Sequence, residues 1–212
     1  MLTVHHLNNS RSHRIAWLLE ELGVPYRIQR YERDAKTGMA PDSLKAIHPL
    51  GKSPILTDDG RTIAESGAII DYVIRRHGGG RLTPAPETDD YDRYVHWLHY
   101  AEGSASLPLI MKGTVNRLDN KWRPLKNFVA SELHLHLSYI DMSLKRGPFL
   151  LGDLFTAADV QMSFVGEVAA LLVNRKDYPA LDTWVRLLQE RPAYRRAVDA
   201  GGDYALARAG GE

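Results

Sequence analysis

Three stretches near the N-terminus hold side chains able to bind and polarise a small anion. Ser10 stands between an apolar run, Leu2-Thr3-Val4-His5-His6-Leu7, and a helical pattern that follows it. Ser53-Pro54 ends the loop His48-Pro49-Leu50-Gly51-Lys52-Ser53-Pro54, and Glu65-Ser66 opens a second helical pattern. A hydroxyl at a helix N-terminus can donate to an anion where backbone N–H groups and the positive end of the helix dipole already favour negative charge. Proline restricts its loop and is the one residue type that readily admits a cis bond. Lys52 adds a cation and Glu65 a carboxylate. Plain helix capping would also suit Ser10, Glu65 and Ser66, a trans edge-strand proline would suit Pro54, and a solvated position would suit Lys52. Because helix starts are uncertain by a residue or two, Asn9 and Ser12 are alternatives to Ser10.

The 212 residues include no cysteine. Disulfides, thiolate metal sites and a cysteine nucleophile are therefore excluded, and any sulfur chemistry must use the sulfur of a ligand. Histidines do not supply a metal site either. His5 and His6 are strand neighbours on opposite faces, and His96 and His99 share a helical face without an acidic residue at a spacing that completes a tetrahedral set. A formal net charge of +1 leaves no broad electrostatic footprint for nucleic acid. Apolar runs are too short to span a membrane, and the N-terminus reads as a strand, so no membrane partner and a cytoplasmic location are expected.

The elements that must position these groups fall into two kinds. Leu2 to Leu7 and Tyr26 to Tyr31 read as strands, and Ile15, Leu18, Leu19 and Leu22 make one face of the helix between them, closed by Gly23 and Pro25. Short strands on either side of Asp58-Asp59-Gly60 read as a hairpin, and Ile69, Tyr72 and Val73 as a following helix. The order βαβ, loop, ββα is a mixed α/β domain. Gly78-Gly79-Gly80 and Pro84-Ala85-Pro86 break the chain, which sets domains at 1–79 and 86–212. Beyond the break the pattern is all helical, with stripes at Tyr94/Trp97/Leu98/Ala101, Leu125/Phe128/Val129/Leu133, Val160/Phe164/Val168/Leu171 and Leu181/Trp184/Val185/Leu188. The Gly- and Ala-rich tail after Ala200 is expected to fray. Phe155-Thr156-Ala157-Ala158-Asp159-Val160 reads as a capping box with an apolar staple.

Together, Ser10-Arg11-Ser12-His13-Arg14, Gly51-Lys52-Ser53-Pro54 with Glu65-Ser66, Tyr100-Ala101-Glu102-Gly103-Ser104 and the capping box resemble the cytosolic glutathione S-transferases, in particular serine members of bacterial and fungal type. The resemblance spans nearly the whole chain and implies a thioredoxin-like N-terminal domain that binds glutathione, followed by an all-helical domain that binds the second substrate. It implies conjugation of the glutathione thiolate to electrophilic, largely apolar small molecules, with glutathione as co-substrate, no metal or other cofactor, and a homodimer. A glutathione-dependent peroxidase or disulfide reductase, and a non-catalytic binding module on the same fold, are the alternatives.

Carried onto this sequence, the resemblance makes Ser10 the donor to the sulfur. A free thiol has a pKa of about 8.5, and lowering it by about two units corresponds to roughly 2.7 kcal/mol. Ser53-Pro54 becomes the cis-proline turn whose backbone pairs with the cysteinyl unit, and Lys52 lies by the glycyl carboxylate. Ser66 and the N–H groups beside it take the γ-glutamyl carboxylate, Glu65 the α-ammonium, and Glu102 reaches the same ammonium from a partner subunit. Tyr100, Leu107, Met111 and Trp17 are possible walls of the electrophile site.

Overall fold

The computed structural model describes residues 1–208 of the chain. Its described residues divide into two compact units, 1–83 with 189–208, and 84–188. The division between Thr83 and Pro84 lies among the breakers read from the sequence, whereas the stretch 189–208 belongs with the first unit rather than with the helices that precede it.

In the first unit, β1 (Leu2–Leu7), α1 (Ser12–Leu22), β2 (Tyr26–Tyr31), β3 (Ile55–Asp58), β4 (Arg61–Ala64) and α2 (Ser66–His77) follow in chain order, with a 3-10 turn at Asp42–Leu44. The sheet runs β2-β1-β3-β4. β1 and β2 are parallel, with His6 opposite Arg30, and β3 is antiparallel to both β1 and β4. α1 therefore serves as the crossover that a parallel pair requires. Gly23, at φ 62°, ends α1, and the Val24 N–H returns to the Leu19 carbonyl at 3.0 Å, as a left-handed C-terminal residue allows.

Nine of the eleven residues of α1 are buried, His13 and Arg14 among them. Trp17 is fully buried and donates its indole N–H to Glu21 at 2.9 Å, so it is core rather than a substrate wall. The reason is α8 (Pro192–Gly201), which packs along α1. Tyr194 meets the His13 ring edge-on at 4.7 Å, and Tyr204 stacks on it at 4.2 Å. Tyr204 and Leu206 are buried, so the tail expected to fray after Ala200 is packed as far as the described residues go; 209–212 lie outside them. A second cluster joins Leu7 and Ile55 to Leu44 of the 3-10 turn, with Tyr31, Ala40 and Ile47 against it.

The second unit contains α3 (Asp89–Tyr100), a π turn (Ala101–Ala105), α4 (Ser106–Val115), α5 (Arg123–Leu144), α6 (Ala157–Leu172) and α7 (Pro179–Gln189), whose last residue falls to the first unit. Thr88 caps α3, accepting from the Tyr91 N–H at 3.2 Å. The buried stripe of α5 is Val129, Leu133, Leu137, Ile140 and Leu144, and Phe128, expected in that stripe, is exposed. Both arms of the capping box are present at α6. The Asp159 carboxylate accepts from the N–H groups of Thr156 and Leu150 and from the Trp184 indole, each at 3.0 Å. One buried carboxylate thus ties the start of α6 to the preceding loop and to α7. Burial pushes its pKa up to about 6, against the pull of those donors. Asp141 of α5 accepts from the N–H groups of Ala180 and Leu181 at the start of α7, at 2.8 and 3.0 Å.

Candidate glutathione site

The end of β1 and the first turn of α1 meet in a chain of hydroxyls. Ser10, 6% exposed, has its Oγ 2.8 Å from Ser12 Oγ and accepts from the Ser12 N–H at 3.2 Å. Arg11 occupies the N-cap of α1 and makes no side-chain cap there; Ser10 Oγ takes the first N–H of the helix instead, which leaves the Ser10 hydroxyl its own proton to donate. Ser12 is fully buried, bonded to the Leu7 N–H at 3.2 Å and within 3.0 Å of His6 Nδ1. Asn9, at φ 49°, has its side-chain oxygen held by the Ala205 N–H at 2.7 Å. Of the three adjacent candidates, Ser12 and Asn9 have evident structural work.

The loop before β3 reaches the same place. The Ser53–Pro54 peptide is cis. Ser53 Oγ donates to the His5 carbonyl at 3.1 Å, accepts from the Leu7 N–H at 3.3 Å and lies 3.4 Å from Ser10 Oγ. Pro54 is buried and Lys52 exposed.

α2 is tied in through α1. Buried Arg14 donates from Nη1 to Ser66 Oγ at 3.2 Å. Ser66 is the first residue of α2, and Glu65 before it holds φ 71° and ψ 119° with an exposed side chain. A non-glycine residue at positive φ costs of order 1–3 kcal/mol and persists only where its surroundings fix it. That backbone turns the Glu65 side chain out of the helix start while the N–H groups of α2 stay open to an anion.

One helix start therefore gathers three of the predicted elements: Ser10 and Ser53 just before α1, and Ser66 through Arg14 of its first turn. Glu102 lies in the other unit, on the π turn. Among the described residues no group of three His, Cys, Asp or Glu side chains could hold a metal ion, and no helix is long and apolar enough to cross a membrane.

Residues 1–75 match the family model described as Glutathione S-transferase, N-terminal domain. Glutathione S-transferase 3 of Schizosaccharomyces pombe is 35% identical over 221 residues, covering 97% of this chain and 90% of that protein. The chain belongs to the glutathione S-transferase family. Glutathione S-transferase 1 of Saccharomyces cerevisiae is 28% identical over 217 residues, 92% of each chain. A crystal structure of a glutathione S-transferase from Actinobacillus pleuropneumoniae matches with a TM-score of 0.90 at 35% identity, covering 98% of this chain and 96% of that one. The thioredoxin-like and helical architecture expected from the sequence is that of the family.

Two residues of this transferase escaped sequence reading. Arg14 is a charged residue on an apolar helix, and nothing in its spacing announces that it is buried and turned toward Ser66. His6 alternates with Val4 on β1 and reads as strand filler, yet it terminates the hydroxyl chain. The one available signal was its place on the same strand face as buried Leu2 and Val4. In the second unit, Leu107 and Met111 do line a cavity of about 260 Å³, together with Phe128 and His136. Tyr100 instead bonds through its hydroxyl to His136.

Proposed function

We propose that this transferase conjugates the thiolate of bound glutathione to electrophilic, largely apolar small molecules. The observation that carries the reading is the convergence on the start of α1: Ser10 Oγ, just before the helix, lies 3.4 Å from Ser53 Oγ, and Arg14 of the first turn reaches Ser66 at 3.2 Å. The glutathione thiol releases its proton to solvent, and Ser10 donates a hydrogen bond to the resulting sulfur anion, which the positive end of α1 also favours. It stabilises the thiolate and does not itself attack. The thiolate then displaces the leaving group of the electrophile, or adds to it, while the site holds the two reactants together.

The remaining roles follow the chemistry of the ligand. The backbone at Ser53, held by the cis bond to Pro54, pairs with the cysteinyl unit. Lys52 neutralises the glycyl carboxylate. Ser66 and the N–H groups of α2 take the γ-glutamyl carboxylate, and Glu65 the neighbouring ammonium. Glu102 approaches that ammonium from a second copy in a homodimer. The same reading gives the protein a cytoplasmic role in removing toxic electrophiles.

The test is a calorimetric titration with reduced glutathione followed by turnover of a chromogenic aryl halide, on the parent and on Ser10→Ala. Expected are binding by both and conjugation lowered strongly in the variant. Equal turnover would remove Ser10 from the role, and hydroperoxide or disulfide turnover without conjugation would replace the reaction with a reductive one.

A further inference from the structure

The hydroxyl chain at Ser10 does not end at Ser12. Its last member is His6, 2% exposed, whose Nδ1 lies 3.0 Å from Ser12 Oγ. A hydroxyl has one proton and two lone pairs, so the chain has two possible directions. If His6 Nδ1 accepts, Ser12 gives it the proton, and Ser10 is drawn to donate to Ser12 at 2.8 Å. If Nδ1 carries the proton, His6 and the Leu7 N–H fill both lone pairs of Ser12, and the Ser12 proton goes to Ser10 at 2.8 Å in preference to the Leu7 carbonyl at 3.3 Å. Ser12 then fills both lone pairs of Ser10, one by its hydroxyl and one by its backbone N–H. In that direction the Ser10 proton has only the distant Ser53 Oγ, at 3.4 Å, or a ligand to meet.

The surroundings of the imidazole choose between the two. A Cβ built on Gly201 would lie 3.0 Å from His6 Cε1 and 3.1 Å from Nε2, but 3.7 Å from Nδ1, so the Nε2 edge faces the end of α8. Arg30, opposite His6 on β2, is anchored at the same place, donating from Nε and Nη2 to the Ala200 carbonyl at 3.2 and 2.6 Å and packing against Gly202. A guanidinium on the Nε2 side favours a lone pair there and the proton on Nδ1. Burial, helped by Arg30, lowers the imidazole pKa to about 4, so the ring is neutral at physiological pH. The other titratable ring near it is His13 of α1, and α8 meets the ring at Gly201.

We propose that His6 is a positioning residue: through Ser12 it saturates Ser10 as an acceptor and turns the Ser10 proton toward the sulfur of the ligand. Chains of this kind also polarise each member in turn, which strengthens the final donor. The proposal rests on the reading of Ser10 as the sulfur donor.

The measurement is the pKa of enzyme-bound glutathione, followed by thiolate absorbance against pH, with kcat and KM taken in parallel. His6→Leu is expected to raise that pKa by about 0.7 unit and to lower kcat about fivefold below it, the worth of one neutral hydrogen bond, with the KM for glutathione unchanged. His6→Asn, whose side-chain amide can stand where Nδ1–H stood, restores most of the loss. Ser12→Ala matches His6→Leu, and the double variant goes no further. A folded His6→Leu with the parent thiol pKa overturns the proposal. Should His6→Leu not fold, Gly201→Ala takes its place, since the added methyl presses only on the imidazole edge; an unshifted pKa there is equally fatal. Ser10→Ala separates the two levels. No shift in that variant means the Ser10 reading has failed, whereas a shift there with none in His6→Leu or Ser12→Ala means the relay alone has failed.

Discussion

Arg191 grips the carboxylate of Glu21 side-on, Nε to Oε1 at 2.6 Å and Nη2 to Oε2 at 2.9 Å, across 170 residues of sequence. The Trp17 indole donates to the same Oε1, while Arg196 donates from Nε to the Glu20 carboxylate at 2.7 Å and from Nη2 to the Glu20 main-chain carbonyl at 3.3 Å. Paired, planar geometry with little solvent around it is the form in which an ion pair contributes measurably. Glu21→Ala and Arg191→Ala are each expected to cost about 2 kcal/mol in urea unfolding, with a coupling of at least about 1 kcal/mol in the double-mutant cycle. Additive losses would show that the two residues act independently.

Ser66 receives a charged donor from Arg14, which makes its own hydroxyl a better donor to a carboxylate. Ser66→Ala is expected to raise the dissociation constant for glutathione about tenfold, the worth of one hydrogen bond to a charged group, while leaving the bound thiol pKa in place. Unchanged affinity in calorimetry would move the γ-glutamyl carboxylate elsewhere.

Glu65 holds a backbone conformation that glycine adopts freely. Glu65→Gly should therefore lose little stability, or gain up to about 1 kcal/mol, where an ordinary loop substitution to glycine destabilises. Glutathione affinity should fall in the same variant, because the acceptor for the ammonium is gone. A clear loss of stability would mean that the Glu65 side chain, rather than its backbone, supports the start of α2.

His13 lies between Tyr194 and Tyr204 with neither ring nitrogen hydrogen-bonded among the described residues. Burial, then the nearby His6 and Arg14, hold its pKa down to about 3. An unfolded chain takes up that proton near 6.5, so the contribution is present above that pH and is lost as the pH falls toward 3. At pH 5, His13→Phe should flatten the slope of unfolding free energy against pH by about 1.4 kcal/mol per unit. Parallel slopes for parent and variant would show that His13 charges within the native state.

Much of this was legible before any coordinates. The strand–helix–strand opening, the hairpin at Asp58-Asp59-Gly60 and the capping box at Thr156 are written in local spacing, and local spacing is what sequence displays. The membership of α8 was not legible. Its apolar face has the same period whichever unit it covers, and only Tyr194 on His13 and Arg191 on Glu21 decide the matter. The π turn at Ala101–Ala105 was hidden because the stripe read from Tyr94 ends at Ala101, where the turn begins, so the shift in register that an extra residue causes had no later apolar position to show it. α6 reads as an apolar stripe through Phe164 and Leu171, yet Gln161, Ser163 and Glu167 are buried and Leu171 is exposed. Periodicity finds a face when one side meets water; a helix enclosed at its start has no such contrast. Among the site residues, Ser10, Ser53 and Ser66 stood at element boundaries and drew notice, while Arg14 and His6 stood inside elements and did not.

The N-terminal unit is finished by residues that a ribosome makes only after the whole stretch 84–188. When Thr83 emerges, the sheet and α1 can form, but Trp17 and His13 have no cover until Pro192–Gly201 and Tyr204 have been synthesised. Order of synthesis and order of completion are thus opposed. A nascent chain halted short of that point is expected to offer an aromatic, sticky helix face to chaperones and proteases. A glutathione resin that captures only chains with native affinity would accordingly report on whether synthesis had passed Tyr204.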